Sequence, residues 1–112
     1  MSARFVQDGK SIDYTPAAAV TAGDVVVQGD LIGIANLDIA ANQLGTLAIE
    51  GVFDFPKATG TGSSIAAGAI CYWDAGDQQA KTDSETGANK KLGKCIQAAG
   101  DSDTTVRIKL DQ

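Results

Sequence analysis

The sequence predicts an all-β protein, a small barrel of short strands and bent hairpins with few or no helices. Three observations carry this expectation. Thirteen glycines are spread through the 112 residues, recurring every few positions from Gly9 to Gly100, and helix interiors tolerate glycine poorly. Short β-branched runs sit between turn signals. The C-terminal run Thr104-Thr105-Val106-Arg107-Ile108-Lys109-Leu110 alternates apolar and charged residues, which is the period of a half-buried strand. Short strands broken by turns at ~8–12-residue spacing indicate a compact barrel or sandwich.

Residues 1–10 are expected to form an N-terminal arm, ordered on binding, and residues 11–112 a single β domain. Thr15-Pro16-Ala17-Ala18-Ala19 is expected to be irregular, because Gly23 soon ends any helix. Val25-Val26-Val27, the turn Gln28-Gly29-Asp30 and Leu31-Ile32-Gly33-Ile34-Ala35 read as one hairpin. Gly23 permits a tight lead into the strand, and Gly29 suits the positive φ of a hairpin turn. Gly33 marks a bulge or a close approach. Long bent hairpins of this kind build β-clip-like architectures. The segment 36–43 is expected to be irregular, with at most one helical turn. Thr46 to Phe53 is the longest strand candidate. The polar, Gly-rich stretch from Lys57 to Ser64 reads as a flexible surface loop. Ile70-Cys71-Tyr72-Trp73 is a strand ended by the turn cluster Asp74-Ala75-Gly76-Asp77, and 81–89 a second mobile loop.

A weak internal echo is visible. Thr21-Ala22-Gly23-Asp24-Val25 resembles Ala66-Ala67-Gly68-Ala69-Ile70, with 45 residues from Gly23 to Gly68. Gln43-Leu44-Gly45 resembles Lys91-Leu92-Gly93, with 48 residues from Gly45 to Gly93. Two copies do not make a solenoid. They suggest two similar hairpin layers packed about a pseudo-dyad, or chance likeness in a chain rich in Gly and Ala.

Of the 44% hydrophobic residues, 18 positions are alanine, so each buried position removes little area from water. A thin core favours an oligomer. Fourteen acids against nine bases give a net charge of -5, which argues against a broad nucleic-acid surface. No run approaches the ~18 apolar residues of a membrane span. The first ten residues lack the apolar run of a signal peptide, so the chain is expected to be made in a cytosol. Cys71 and Cys95 sit in apolar runs and read as buried, reduced thiols.

There is no histidine. The commonest general base and metal ligand is therefore missing, and neither a Ser-His-Asp nor a Cys-His arrangement can form within the chain. Asp74 with Asp77 and Asp101 with Asp103 lie in Gly-containing turns, where Asp bonds to the local backbone. The stretch from Gly87 to Cys95 fails as a phosphate loop, because five residues separate its glycines and Cys95 stands where a hydroxyl is needed. No catalytic, metal or cofactor site is expected, and the chain does not read as an enzyme. Lys90, Lys91 and Lys94 are the only local basic cluster, suited to an acidic partner surface. Tyr72 and Trp73 are adjacent, so on a strand one faces the core and the other is partly exposed. An exposed aromatic there would fit an interface, or alternatively a small β-clip or SH3-like module binding carbohydrate.

The order Phe5-Val6-Gln7-Asp8-Gly9, Ile12-Asp13-Tyr14-Thr15, Ala22-Gly23-Asp24-Val25-Val26, Gly33-Ile34-Ala35, Leu47-Ala48-Ile49-Glu50-Gly51-Val52-Phe53 and Pro56-Lys57 resembles phage capsid cement, or head-decoration, proteins. It continues through Tyr72-Trp73-Asp74, Leu92-Gly93 and Val106-Arg107-Ile108-Lys109-Leu110, so the likeness covers nearly the whole chain. The resemblance, extended to lambda-type decoration proteins, implies a β-clip-like fold. It implies a homotrimer on the outer surface of the expanded head, clamping neighbouring major capsid subunits. Partners would be the major capsid protein and further copies of the chain, with no nucleic acid and no membrane. The protein would be made in the host bacterial cytoplasm and end on the virion. The family offers no catalytic residues to carry over. The candidate interface residues are Arg4, Phe5, Tyr72, Trp73, Lys90, Lys91 and Lys94.

Overall fold

A computed structural model describes residues 2–6 and 9–112. Among these residues, nine strands form two antiparallel sheets. The first sheet contains β1 (Ser11–Tyr14), β2 (Val25–Gln28), β3 (Leu31–Ala35) and β4 (Gly45–Ala48), in the order β1-β4-β3-β2. The second contains β5 (Gly51–Pro56), β6 (Ile70–Asp74), β7 (Gln79–Lys81), β8 (Lys90–Gln97) and β9 (Thr105–Leu110), in the order β5-β9-β8-β6-β7. The only helical piece among the described residues is a single 3-10 turn, Glu85–Gly87, inside the second predicted mobile loop. The all-β expectation is met, and no described helix is long and apolar enough to cross a membrane.

The hairpin reading of residues 25–35 holds. Gln28 pairs with Leu31 across the two-residue turn Gly29-Asp30, and Gly29 has φ 61, the Gly-first pattern of a II′ turn. Gly33 is a site of close approach, since a Cβ there would lie 2.7 Å from Leu47 Cβ. The single strand expected from Thr46 to Phe53 is instead two. The chain leaves the first sheet after Ala48 and joins the second at Gly51, whose φ of 124 suits glycine.

The echo reflects a duplicated backbone unit. Gly23 N–H donates to Ala35 O and Ala35 N–H to Asp24 O; likewise Gly68 N–H donates to Cys95 O and Cys95 N–H to Ala69 O. Val20 and Ile39 exchange two hydrogen bonds, as do Ile65 and Ala99. Ladder registers also match: Val26 opposes Gly33 as Cys71 opposes Gly93, and Ile12 opposes Leu47 as Phe53 opposes Ile108. The strand order first-fourth-third-second therefore occurs twice. The counterpart of Gly93 is Gly33, not Gly45. The tight turn Gly29-Asp30 is replaced in the second unit by the excursion 75–89, which carries β7 and shifts the register. A parallel bridge between Lys57 and Ala80 brings β7 back to the end of β5, so the second sheet nearly closes on itself.

One core lies between the sheets. Ile32, Ile34 and Ala48 meet Phe55, Trp73, Ile108, Leu110 and both cysteines. Phe55 packs against Trp73 with ring centroids 6.0 Å apart. Cys71 and Cys95 are buried free thiols, and burial pushes the Cys71 thiol up to about 11, so it is neutral at physiological pH. The accessible area is 6823 Å², against roughly 5,800 Å² for a typical monomer of this mass. The exposed residues 2–6 contribute to that excess.

Lys57 to Ser64, expected to be flexible, is stitched down instead. Lys57 is 4% exposed, and its ammonium donates to the carbonyls of Ala58, Gly100 and Asp103 at 2.8, 2.9 and 3.1 Å. Gly60 N–H donates to Asp101 O, and Ser64 N–H to the Asp101 carboxylate. Gln112 ties the segment after β9 to β3, its side-chain amide donating to Ile32 O and accepting from Ile32 N–H.

Candidate functional site

The alternation of the second sheet sorts the predicted interface residues. Trp73 points inward and is 3% exposed, so it is a core residue and is not available for contact in the chain as described. Tyr72 points outward and is half-buried, as expected of its neighbour. Tyr72 pairs with Lys91 and Ile70 with Lys94, placing all four on the outer face of β6 and β8. A register shift between Cys71 and Tyr72 puts Leu92 and Gly93 inside together, so Lys91 and Lys94 both face out. Lys90 stands apart, ion-paired with Asp30 in the turn of the first unit at 2.9 Å. Arg4 and Phe5 lie on the exposed N-terminal segment, away from this face in sequence, with Phe5 80% exposed.

Three residues missed in the sequence complete the face. Lys94 opposes Lys109 on β9, and Lys109 opposes Val52 on β5. Ile70, Lys94, Lys109 and Val52 thus form one row across four strands. The next row holds Gln97, Arg107 and Asp54, where the Arg107 guanidinium grips the Asp54 carboxylate with two bonds of 3.0 and 3.2 Å. That grip holds the Asp54 carboxyl below the usual aspartate range. The alternating pattern of β9 marked Lys109 as outward-facing, but not which residues would stand beside it.

The paired acids serve their turns. Asp74 accepts from Asp77 N–H, and Asp103 from Gly100 N–H. Lys81 bridges Asp74 at 2.8 Å and Asp77 at 2.5 Å. The Lys81 hydrogen bond lowers the Asp74 pKa, and the two carboxylates raise that of Lys81. Because the folded Asp74 value lies below its unfolded one, its contribution to stability is complete above about pH 4 and is lost as pH falls through the folded value. Asp74→Asn is therefore expected to flatten the acid side of the stability profile, read as urea midpoints between pH 7 and pH 2. An unchanged acid limb would contradict this.

The described residues hold no group of three or more candidate metal ligands. What the surface offers is a flat cationic face on one sheet and large exposed apolar side chains elsewhere, Leu37 and Leu44 at 76% and 71%. A model of the phage cement protein family matches residues 6–110, and the chain belongs to that family. It is thus a capsid cement protein, associated with the phage capsid in the virion. No curated protein and no solved structure matches the chain.

Proposed function

We propose that this cement protein acts as a homotrimer on the outer surface of the expanded head, where it stabilises contacts between neighbouring major capsid subunits. The family match over residues 6–110 is the observation that carries this reading. Supporting it are the accessible area, large for the mass, and the exposed Phe5, Val6, Leu37 and Leu44. Burial of such groups between copies adds area that one thin core lacks. The duplicated bent hairpins suit the β-clip-like architecture. Residues 1–10, of which 1, 7 and 8 lie outside the described residues, act as an arm that orders on binding, and residues 11–112 form the domain it extends. The net charge of -5 keeps the protein away from packaged DNA and outside the shell. The role is structural, with no catalysis, cofactor, nucleic acid or membrane involved, and synthesis takes place in the host bacterial cytoplasm. The carbohydrate-binding alternative loses its best stacking platform, because Trp73 is enclosed.

Many modest contacts summed over a shell give avidity. Added protein is expected to raise the temperature at which expanded heads rupture, and sedimentation at micromolar concentration to give the mass of a trimer. Heads that rupture at the same temperature with and without the protein would contradict the stabilising role. A strict monomer on its own would move trimer assembly to the capsid surface.

A further inference from the structure

We propose that the outer face of the second sheet, centred on the opposed Lys94 and Lys109, docks an acidic, apolar-flanked segment of the major capsid protein. This rests on the cement reading and names its contact. The register sets Ile70, Lys94, Lys109 and Val52 side by side across β6, β8, β9 and β5. All four are exposed, Ile70 by 44% and Val52 by 51%. Like charges directly opposite each other on neighbouring strands destabilise a sheet.

Of the other cations in the second unit, all but Lys91 are matched. Lys81 has Asp74 and Asp77, Lys90 has Asp30, and Arg107, one row away, has Asp54. The Lys57 ammonium is held by three carbonyls. Lys94 and Lys109 have no carboxylate within 4.0 Å among the described residues, although Glu50 and Asp111 share a cleft with Lys109. The chain has 14 acids to nine bases, so a shortage of carboxylates does not explain the gap. The row reads apolar, cation, cation, apolar, and Lys91 and Tyr72 extend it on one side. A complementary partner presents carboxylates at the centre and apolar side chains on both flanks. In a chain of net charge -5, this is also the face that an acidic shell surface approaches without repulsion.

The test uses the full chain and purified expanded heads, with bound copies measured over a range of protein and salt concentrations. Lys94→Glu sets a carboxylate opposite Lys109, so it is expected to raise the melting temperature of the free protein. The same change should weaken head binding by about tenfold or more, and Lys94→Glu with Lys109→Glu should weaken it further and flatten its salt dependence. A purely structural role for the pair would not separate stability from binding in this way. If both variants bind heads within about twofold of the unmodified protein, the docking face is wrong while the cement reading stands. If the unmodified protein binds no heads, the cement reading itself fails, and this inference with it.

Discussion

Gly93→Ala is expected to remove a large part of the stability of the fold. A Cβ at this position would lie 1.9 Å from Lys109 O, 2.8 Å from Asp111 N and 2.9 Å from Lys109 C. All three are backbone atoms of β9 or its continuation. That strand pairs with β5 on one side and β8 on the other, so it cannot step aside without parting the sheet. The φ of 154 adds a conformation that side chains rarely adopt. The cost is on the order of 4 kcal/mol or more, against a total stability of roughly 5–15 kcal/mol for a domain of this kind. At the counterpart position, Gly33→Ala meets side-chain atoms of Leu47 at 2.7 and 2.9 Å. Rotation of Leu47 clears Cδ1 but not Cβ, which moves only with β4, so the loss should be about 3 kcal/mol, still below that at Gly93. Thermal and urea unfolding followed by circular dichroism measure both. A Gly93→Ala protein melting within a few degrees of the parent would show that the β8–β9 packing is misread.

Lys57→Met is expected to destabilise the fold as well. The ammonium places its three protons on three carbonyls from two loops, and it has no carboxylate partner. Methionine keeps the apolar stem but leaves those carbonyls short of a donor. Each orphaned, part-buried acceptor costs at most about 1–3 kcal/mol, partly offset because a buried charge disappears, so a net loss of about 1–3 kcal/mol follows. Lys57→Arg should not rescue it, since a planar fork does not match three converging acceptors. The loss should appear as a lower urea midpoint and as new protease cleavage between residues 58 and 64. A midpoint equal to that of the parent would mean that the lysine does not hold the two loops together.

These two positions show where the sequence was legible. Strands, turns and the role of Gly29 followed from short-range chemistry: β-branched runs, Gly-Asp turns and alternation. The inward Trp73 and outward Tyr72 followed from the period of a strand. The hydrogen bonds of Lys57 did not, because its acceptors are main-chain carbonyls, which every residue carries and no sequence pattern marks. The polar, Gly-rich composition of 57–64 therefore read as mobile when it is anchored. The echo was half legible. Its first part, at Gly23 and Gly68, survives as matching hydrogen bonds. Its second part slipped, because the excursion 75–89 replaces a two-residue turn and moves the counterpart of Gly93 to Gly33. The cationic face had the same history. Lys91 and Lys94 stood out as neighbours in sequence, whereas Lys109 and Val52 join them only through the β8–β9 and β9–β5 registers.

The capsid role meets its most direct test in binding to expanded and unexpanded heads compared side by side. Purified protein is mixed with each head form, unbound protein is removed, and the mass gained per head is measured. The prediction is stoichiometric gain on expanded heads, in multiples of three copies per site, with little on unexpanded ones. Heads of both forms that gain no mass at saturating protein would contradict the account.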